Sequence, residues 1–303
     1  MYFLQTTDVE LTSIPINLPV PEVAEIILKI GLPRVLDLYS KYDVVSTFFF
    51  TGDIVELEPE VIDITKERGH EIGSHGYTHF STEGFDQFSL ERQIGDLEKS
   101  KKLLEREGAG NLRSFRSPEA RINEDTIKAL ETCGFKYDSS VCPQRMDGPL
   151  SYGFDQKKKW VIALRRPYMM SYSSFISEGS SKIMEIPITS FIFPFIGTTM
   201  RINPRIHEIL KKLLFFEAKK RHVPIVFLFH PNECIETGLT RHIDEKYQGN
   251  IRSMFRGNLR TKLKVRNLGL RAINLMGKLL KEAKDYGFEF ISIEEYGNLH
   301  LTK

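Results

Sequence analysis

Short runs rich in β-branched and aromatic residues recur along this chain, each separated from the next by a longer stretch of helical periodicity. The strand-like runs are YFLQTT (2–7), VVSTFFF (44–50), HEIGSH (70–75), LRSFRS (112–117), FKYDSS (135–140), KIMEIPI (182–188), PIVFLFH (224–230) and FEFISI (288–293). Between them, 21–41 spaces Ile26, Ile27, Ile30, Val35, Leu36 and Leu38 as a helix would, and 89–107 does so with Leu90, Ile94, Leu97, Leu103 and Leu104. Helical patterns also cover 58–68, 123–133, 204–221 and 267–286. Alternation between a period near 2 and one near 3.6 is the pattern of parallel strands joined by crossover helices. Seven or eight such units fit a distorted β/α barrel better than an open sheet. One domain is expected over 1–303, interrupted by an irregular stretch at about 143–181 and a basic insertion at about 236–266.

A barrel gathers its chemistry at the C-terminal ends of its strands. Polar residues at strand ends are therefore candidates, and those elsewhere are expected to be solvation. Five strand ends qualify: Asp8 and Glu10 in TTDVEL, His75 with His79 four residues on, Arg116 in FRSPEAR, Asp138 in YDSS, and His230 in FHPNE. His75 and His79 can present two imidazoles to one ion if the chain makes a helical turn after the strand. A carboxylate from another strand would complete a two-histidine, one-carboxylate face that leaves room for water and substrate. Asp8 and Glu10 share a face of a regular strand, which suits one as ligand and the other as base. His230 has the intrinsic pKa of a general acid near neutrality.

The stretches TTDVE, GHEIGSHGYTH, FRSPEARIN, YDSSV and FLFHPNE occur in the order and approximate spacing of the five motifs of the polysaccharide deacetylases, carbohydrate esterase family 4. The resemblance covers about residues 1–235 plus the final strand. It implies a distorted (β/α)7 barrel and metal-dependent removal of acetyl groups from N-acetylated sugars, with Zn²⁺ the default ion. It also implies Asp8 as catalytic base, His75 and His79 as metal ligands, Arg116 as the residue orienting the base, and His230 as general acid. The backbone N–H near Glu119 would face the oxyanion, Leu228 would line the acetyl pocket, and Asp138 would support the acid or base. Where the family commonly reads aspartate-aspartate-glycine, this chain reads Asp8-Val9-Glu10, which makes Glu10 the implied third ligand. Ser117-Pro118-Glu119 stands where many members carry an aromatic residue and a glycine, a difference that bears on the shape of the substrate groove. Two alternatives remain open: hydrolysis of a formamide or cyclic ureide on the same fold, and a catalytically silent sugar-binding protein. The presence of both base and acid argues against the second.

The remaining features set partners and compartment. Formal net charge over the 303 residues is +2, so no broad nucleic-acid footprint is expected. Three cysteines without metal-type spacing read as free thiols in a reducing compartment. The N-terminal stretch does not read as a signal peptide, and the most apolar runs fall short of the roughly 20 residues of a membrane span. A cytoplasmic protein is expected. Residues 246–281 nevertheless hold ten Lys or Arg and no acid, which suggests peripheral contact with an anionic membrane. Arg165 and Arg166, in the irregular stretch, are candidates for binding an anionic group of the substrate. His70 is expected to be structural, and His207, His222 and His242 to be solvated.

Overall fold

The computed structural model describes residues 1–79, 83–144, 156–248 and 259–301. Ten strands form one curled sheet: β1 (Tyr2–Val9), β2 (Ser46–Phe50), β3 (Glu71–Ser74), β4 (Ser114–Phe115), β5 (Tyr137–Asp138), β6 (Tyr168–Ser171), β7 (Ser174–Glu178), β8 (Met184–Glu185), β9 (Ile225–Phe229) and β10 (Glu289–Phe290). Their spatial order is β9-β1-β2-β3-β4-β5-β8-β6-β7, with β10 pairing with the start of β1. Every pair from β9 to β8 is parallel, whereas β6 and β7 are an antiparallel hairpin appended beside β8. That hairpin falls inside the irregular 143–181 stretch and has no counterpart among the strands read from sequence. The ring is completed by irregular backbone after β8. Thr189 donates its N–H to the Val226 carbonyl (3.0 Å) and accepts the Val226 N–H on its hydroxyl (2.8 Å). Ile196 then bridges to Leu228. The result is a distorted β/α barrel.

β1 shows how the pleat sorts residues. Phe3 faces outward onto Phe215, Phe227 and Phe288, whereas Leu4 faces inward with Phe49, Tyr137, Met184, Ile186, Val226 and Ile291. Period-2 alternation carries Thr6 and Asp8 to the inward side as well. Register then places Thr6 beside Leu228 and Asp8 beside Phe49.

The helices that matter for the site are α1 (Leu32–Lys41), α2 (Glu60–Lys66), α3 (Leu90–Leu104), α4 (Glu124–Thr132), α5 (Gly197–Ile202), α6 (Pro204–Arg221), α7 (Thr237–Gln248), α8 (Leu259–Lys264), α9 (Leu270–Tyr286) and α10 (Ile293–Leu301). Their ends follow local chemistry. Ser89 caps α3 through the Arg92 N–H, and Asn123 forms a reciprocal capping pair with Thr126. Asn203 caps α6 ahead of Pro204, and α6 stops at His222 in the left-handed region. The described parts of the basic insertion are α7 and α8; Arg252 and Arg256 lie outside the described residues. Among the described residues no helix is long and apolar enough to cross a membrane.

Two histidines are sealed into the layer between sheet and helices. His70 lies against Phe48 and Tyr39, as its expected structural role requires. His207, expected at the surface, is instead buried on α6 and stacks on Phe195 at 4.6 Å. His222 and His242 are exposed. Burial depresses the pKa of His70 to about 4 and that of His207 to about 3. The unfolded chain takes up these protons below about 6.5, while the folded chain refuses them until near pH 4. Their contribution is therefore complete above pH 6.5 and drains away as pH falls toward 4, on the order of 1–3 kcal/mol per residue. We expect the urea midpoint to drop over that window, and to drop less in a His70→Phe, His207→Phe variant. Parallel pH profiles for the two proteins would refute this account.

Candidate active site

The site is built on the inward ends of β1, β3, β4 and β9. Glu10, one residue past β1, brings Oε2 to 3.1 Å from His79 Nε2 and 3.5 Å from His75 Nε2. One ligand atom from each of the three residues lies within 4.8 Å of the others. A buried carboxylate converging with two imidazole nitrogens is the donor set of a divalent-cation site with open positions, and the residues fit that role. Orientation supports the fit. His75 hydrogen-bonds through Nδ1 to the Arg116 carbonyl at 2.7 Å, which turns Nε2 toward Glu10. Burial alone would raise the Glu10 pKa. The neighbouring charge of His79 and the hydrogen bond and charge of His75, with His230 nearby, outweigh it and hold the carboxylate well below its usual range.

The two histidines meet without a helical turn, contrary to the expectation from their spacing. Gly76 sits at φ +72°, a conformation L side chains avoid, and reverses the chain immediately after His75. This turn is pinned from α3. Asp96 accepts the Tyr77 N–H at 3.0 Å, and Ser100 donates to the Gly76 carbonyl at 3.0 Å. Neither residue was distinguishable in sequence from the polar face of an amphipathic helix.

Asp8 lies beside the cluster, its Oδ2 at 3.8 Å from His75 Nε2. Arg116 holds it. The guanidinium donates from Nη1 to Asp8 Oδ1 (2.9 Å) and to the Thr6 hydroxyl (2.8 Å). It also donates from Nε to the Ser139 carbonyl and from Nη2 to the Ser139 hydroxyl, each at 2.8 Å. The group is almost wholly buried and lies over the Phe49 ring.

His230, one residue past β9, continues the inward face of Val226 and Leu228, with one fifth of its side chain exposed. Its Nδ1 lies 3.0 Å from Glu233 Oε1. The other oxygen of Glu233 is paired with the buried Arg201, whose guanidinium also donates to the carbonyls of Lys264 (2.9 Å) and Arg266 (2.8 Å). Burial works against the imidazolium. The Glu233 hydrogen bond and charge, then the charges of Glu10 and Asp8, override it and raise the His230 pKa to about 9. Gly197 is required here, because a Cβ would meet the Glu233 carboxylate at 2.5 Å. Glu233 and Arg201 were missed in sequence. Glu233 stood only as the end of FHPNE, and Arg201 reads as an ordinary surface cation.

The other sequence-predicted residues divide. Leu228 shares the inner face of β9 with His230. Glu119 and Ala120 both take left-handed φ, and this turn abuts Gly76 through Pro118. The Glu119 side chain, however, turns toward Arg121 (3.6 Å), itself paired with Asp86. Asp138 does not reach His230 or Asp8. Tyr137 points into the barrel, so Asp138 points to the opposite side of β5 and hydrogen-bonds with Ser140 and Glu185. Burial raises the Asp138 pKa to about 6, and burial with the Asp138 charge raises Glu185 further. Arg165 and Arg166 are not at the mouth. Arg165 forms a bidentate pair with Glu217 (2.8 and 2.6 Å) beside a cavity of about 500 Å³ lined by Val223, Pro224 and Ile225, at the opposite end of β9 from His230. Arg166 pairs with Glu178 on the exposed hairpin at 2.6 Å.

Fold and site thus define a β/α barrel with a candidate two-histidine, one-carboxylate metal centre, flanked by a guanidinium-held aspartate and a carboxylate-held histidine. Residues 29–137 match the family model described as polysaccharide deacetylase. It is 30% identical over 113 residues to a peptidoglycan deacetylase of Helicobacter pylori, covering 37% of this chain and 38% of that protein. It is 33% identical over 104 residues to a peptidoglycan-N-acetylglucosamine deacetylase of Bacillus cereus, covering 34% and 47%. The matched stretch thus spans less than half the length of either relative. Among solved structures, a "probable Polysaccharide deacetylase" from Pseudomonas aeruginosa PAO1 superposes with a TM-score of 0.59 at 15% identity, covering 96% of this chain and 89% of that one.

His75→Ala or His79→Ala should abolish stoichiometric binding of added divalent metal, read by calorimetry on metal-stripped protein. Asp8→Asn should retain it. Loss of metal in Asp8→Asn, with retention in Glu10→Gln, would exchange the roles of the two carboxylates.

Proposed function

We propose that this protein is a metal-dependent hydrolase that removes the acetyl group from an N-acetylated sugar. The observation that carries this reading is the convergence of Asp8 and His230 on the Glu10–His75–His79 cluster, one held by Arg116 and the other by Glu233. A divalent ion held there, with Zn²⁺ the proposed identity, would supply Lewis acidity toward an acetyl carbonyl and a water molecule. The chain's own residues do the rest. Asp8 accepts a proton from the attacking water, with Arg116 fixing one of its oxygens so that the other faces the cluster. His230 directs Nδ1 at Glu233 and leaves Nε2 free to protonate the departing amine. Leu228 lies on the same inner face and suits a pocket for the acetyl methyl.

An amide leaving group needs a proton far more than an activated ester does, and this separates the acid from a residue that merely binds. His230→Ala should slow acetate release from an N-acetylated amino sugar by roughly 100-fold or more. Its effect on an aryl acetate should be much smaller, with metal content unchanged. Equal losses on both substrates would assign His230 to binding. A screen that follows acetate and formate release in parallel tests the substrate class, and formate release alone would overturn deacetylation.

Glu233 adds a second measurement. It holds His230 in its protonated form, so the acid-dependent rate should persist above the ordinary histidine value of about 6.5. In Glu233→Gln the alkaline limb of kcat should move down toward that value, with kcat lower by about tenfold or more and KM nearly unchanged. An unmoved limb would leave Glu233 a structural role only.

A further inference from the structure

The helix α6 carries two apolar faces, and the barrel uses one. His207, Leu210, Leu214, Phe215 and Ala218 are buried against the sheet and α9. On the opposite side Ile209, Leu213 and Phe216 stand at i, i+4 and i+7, exposed by 61%, 51% and 62%. Three large apolar side chains in one row at such exposure constitute a surface that water alone does not explain.

Charge narrows what covers it. The helix holds six basic residues and two acids. Both acids are engaged, Glu208 with Lys211 and Glu217 with Arg165. Arg205, Lys212, Lys219 and Lys220 are exposed around the row, and no ion pair among the described residues reaches them. A second copy of the chain would bring like charges together across this face, which disfavours self-association. A row of apolar side chains bracketed by cations fits a surface that is anionic outside and apolar a few ångströms deeper.

We infer that the outer face of α6 docks this protein on an anionic lipid surface, with Ile209, Leu213 and Phe216 entering the acyl boundary and Arg205, Lys212, Lys219 and Lys220 meeting the headgroups. The docking element is thus the folded barrel helix α6 rather than the 246–281 run that first suggested membrane contact. α6 descends the flank from the mouth side to the start of β9, so the barrel would lie on its side with the mouth free.

Cosedimentation of the full chain with vesicles tests this, using phosphatidylcholine alone or with about one third phosphatidylglycerol. Anionic vesicles should retain the protein at low salt, neutral ones should not, and raised salt should release it. Ile209→Ser, Leu213→Ser, Phe216→Ser and, separately, Lys212→Gln, Lys219→Gln, Lys220→Gln should each weaken binding by about tenfold, with unchanged melting and acetate release. A variant with Arg252, Arg256, Arg260 and Lys262 changed to Gln should bind nearly as well as the parent. Absence of binding to anionic vesicles would overturn the proposal. So would loss of binding in the 252–262 variant with retention in both α6 variants. Dimerisation abolished by the apolar triple, without vesicle binding, would assign the face to a second copy.

Discussion

The mouth of the barrel is organised around one buried cation. Arg116 leaves β4 and crosses the interior to reach β1 at Thr6 and Asp8 and the residue after β5 at Ser139, while its plane rests on Phe49 of β2. A guanidinium so far from water is tolerated only when its donors are satisfied and a counter-charge is close. Asp8 is that counter-charge, so a constraint of stability also fixes the position of the proposed base. The Arg116 carbonyl meanwhile fixes His75. One residue therefore sets the base through its side chain and a metal-ligand candidate through its backbone.

The side of the mouth that holds the proposed acid repeats this logic with the signs reversed. Glu233 is a buried anion between two cationic partners, His230 and Arg201. Burial opposes ionisation of Glu233, but the Arg201 charge and the His230 hydrogen bond hold its pKa below the ordinary value. Arg201 in turn gathers the carbonyls of Lys264 and Arg266, at and just beyond the end of α8. The link is covalently remote and physically short: a segment some distance along the chain from β9 is joined to His230 through one guanidinium and one carboxylate.

The placement of the strand-end residues was legible because it follows the pleat. A period of two forces Asp8 onto the inward side with Leu4, and places His230 with Val226 and Leu228. What escaped notice depends on partners brought from elsewhere by the fold. Arg201, Asp96 and Ser100 look like helix-surface residues until Glu233 and the Gly76 turn are set against them. His207 looked solvated because the apolar residues of α6 circle the helix, so the sequence pattern does not say which face is inside. Spacing suggested a helical turn for His75 and His79, whereas Gly76 supplies a tighter reversal. Asp138 failed for a simpler reason: it ends a strand, but on the side facing away from the interior.

β1 is flanked along its length by β9 and β2 and touched at its start by β10. Its Thr6 hydroxyl reaches a carbonyl 221 positions away, at Phe227. At ribosomal rates of about 5–20 residues per second, the first strand waits roughly ten to forty seconds for that neighbour. Through this interval one side of β1 has no ladder to join, and Asp8 faces no His230 across the mouth. The centre thus comes into being only once β9 has been made, and until then the open side of β1 is an edge that other chains could pair with.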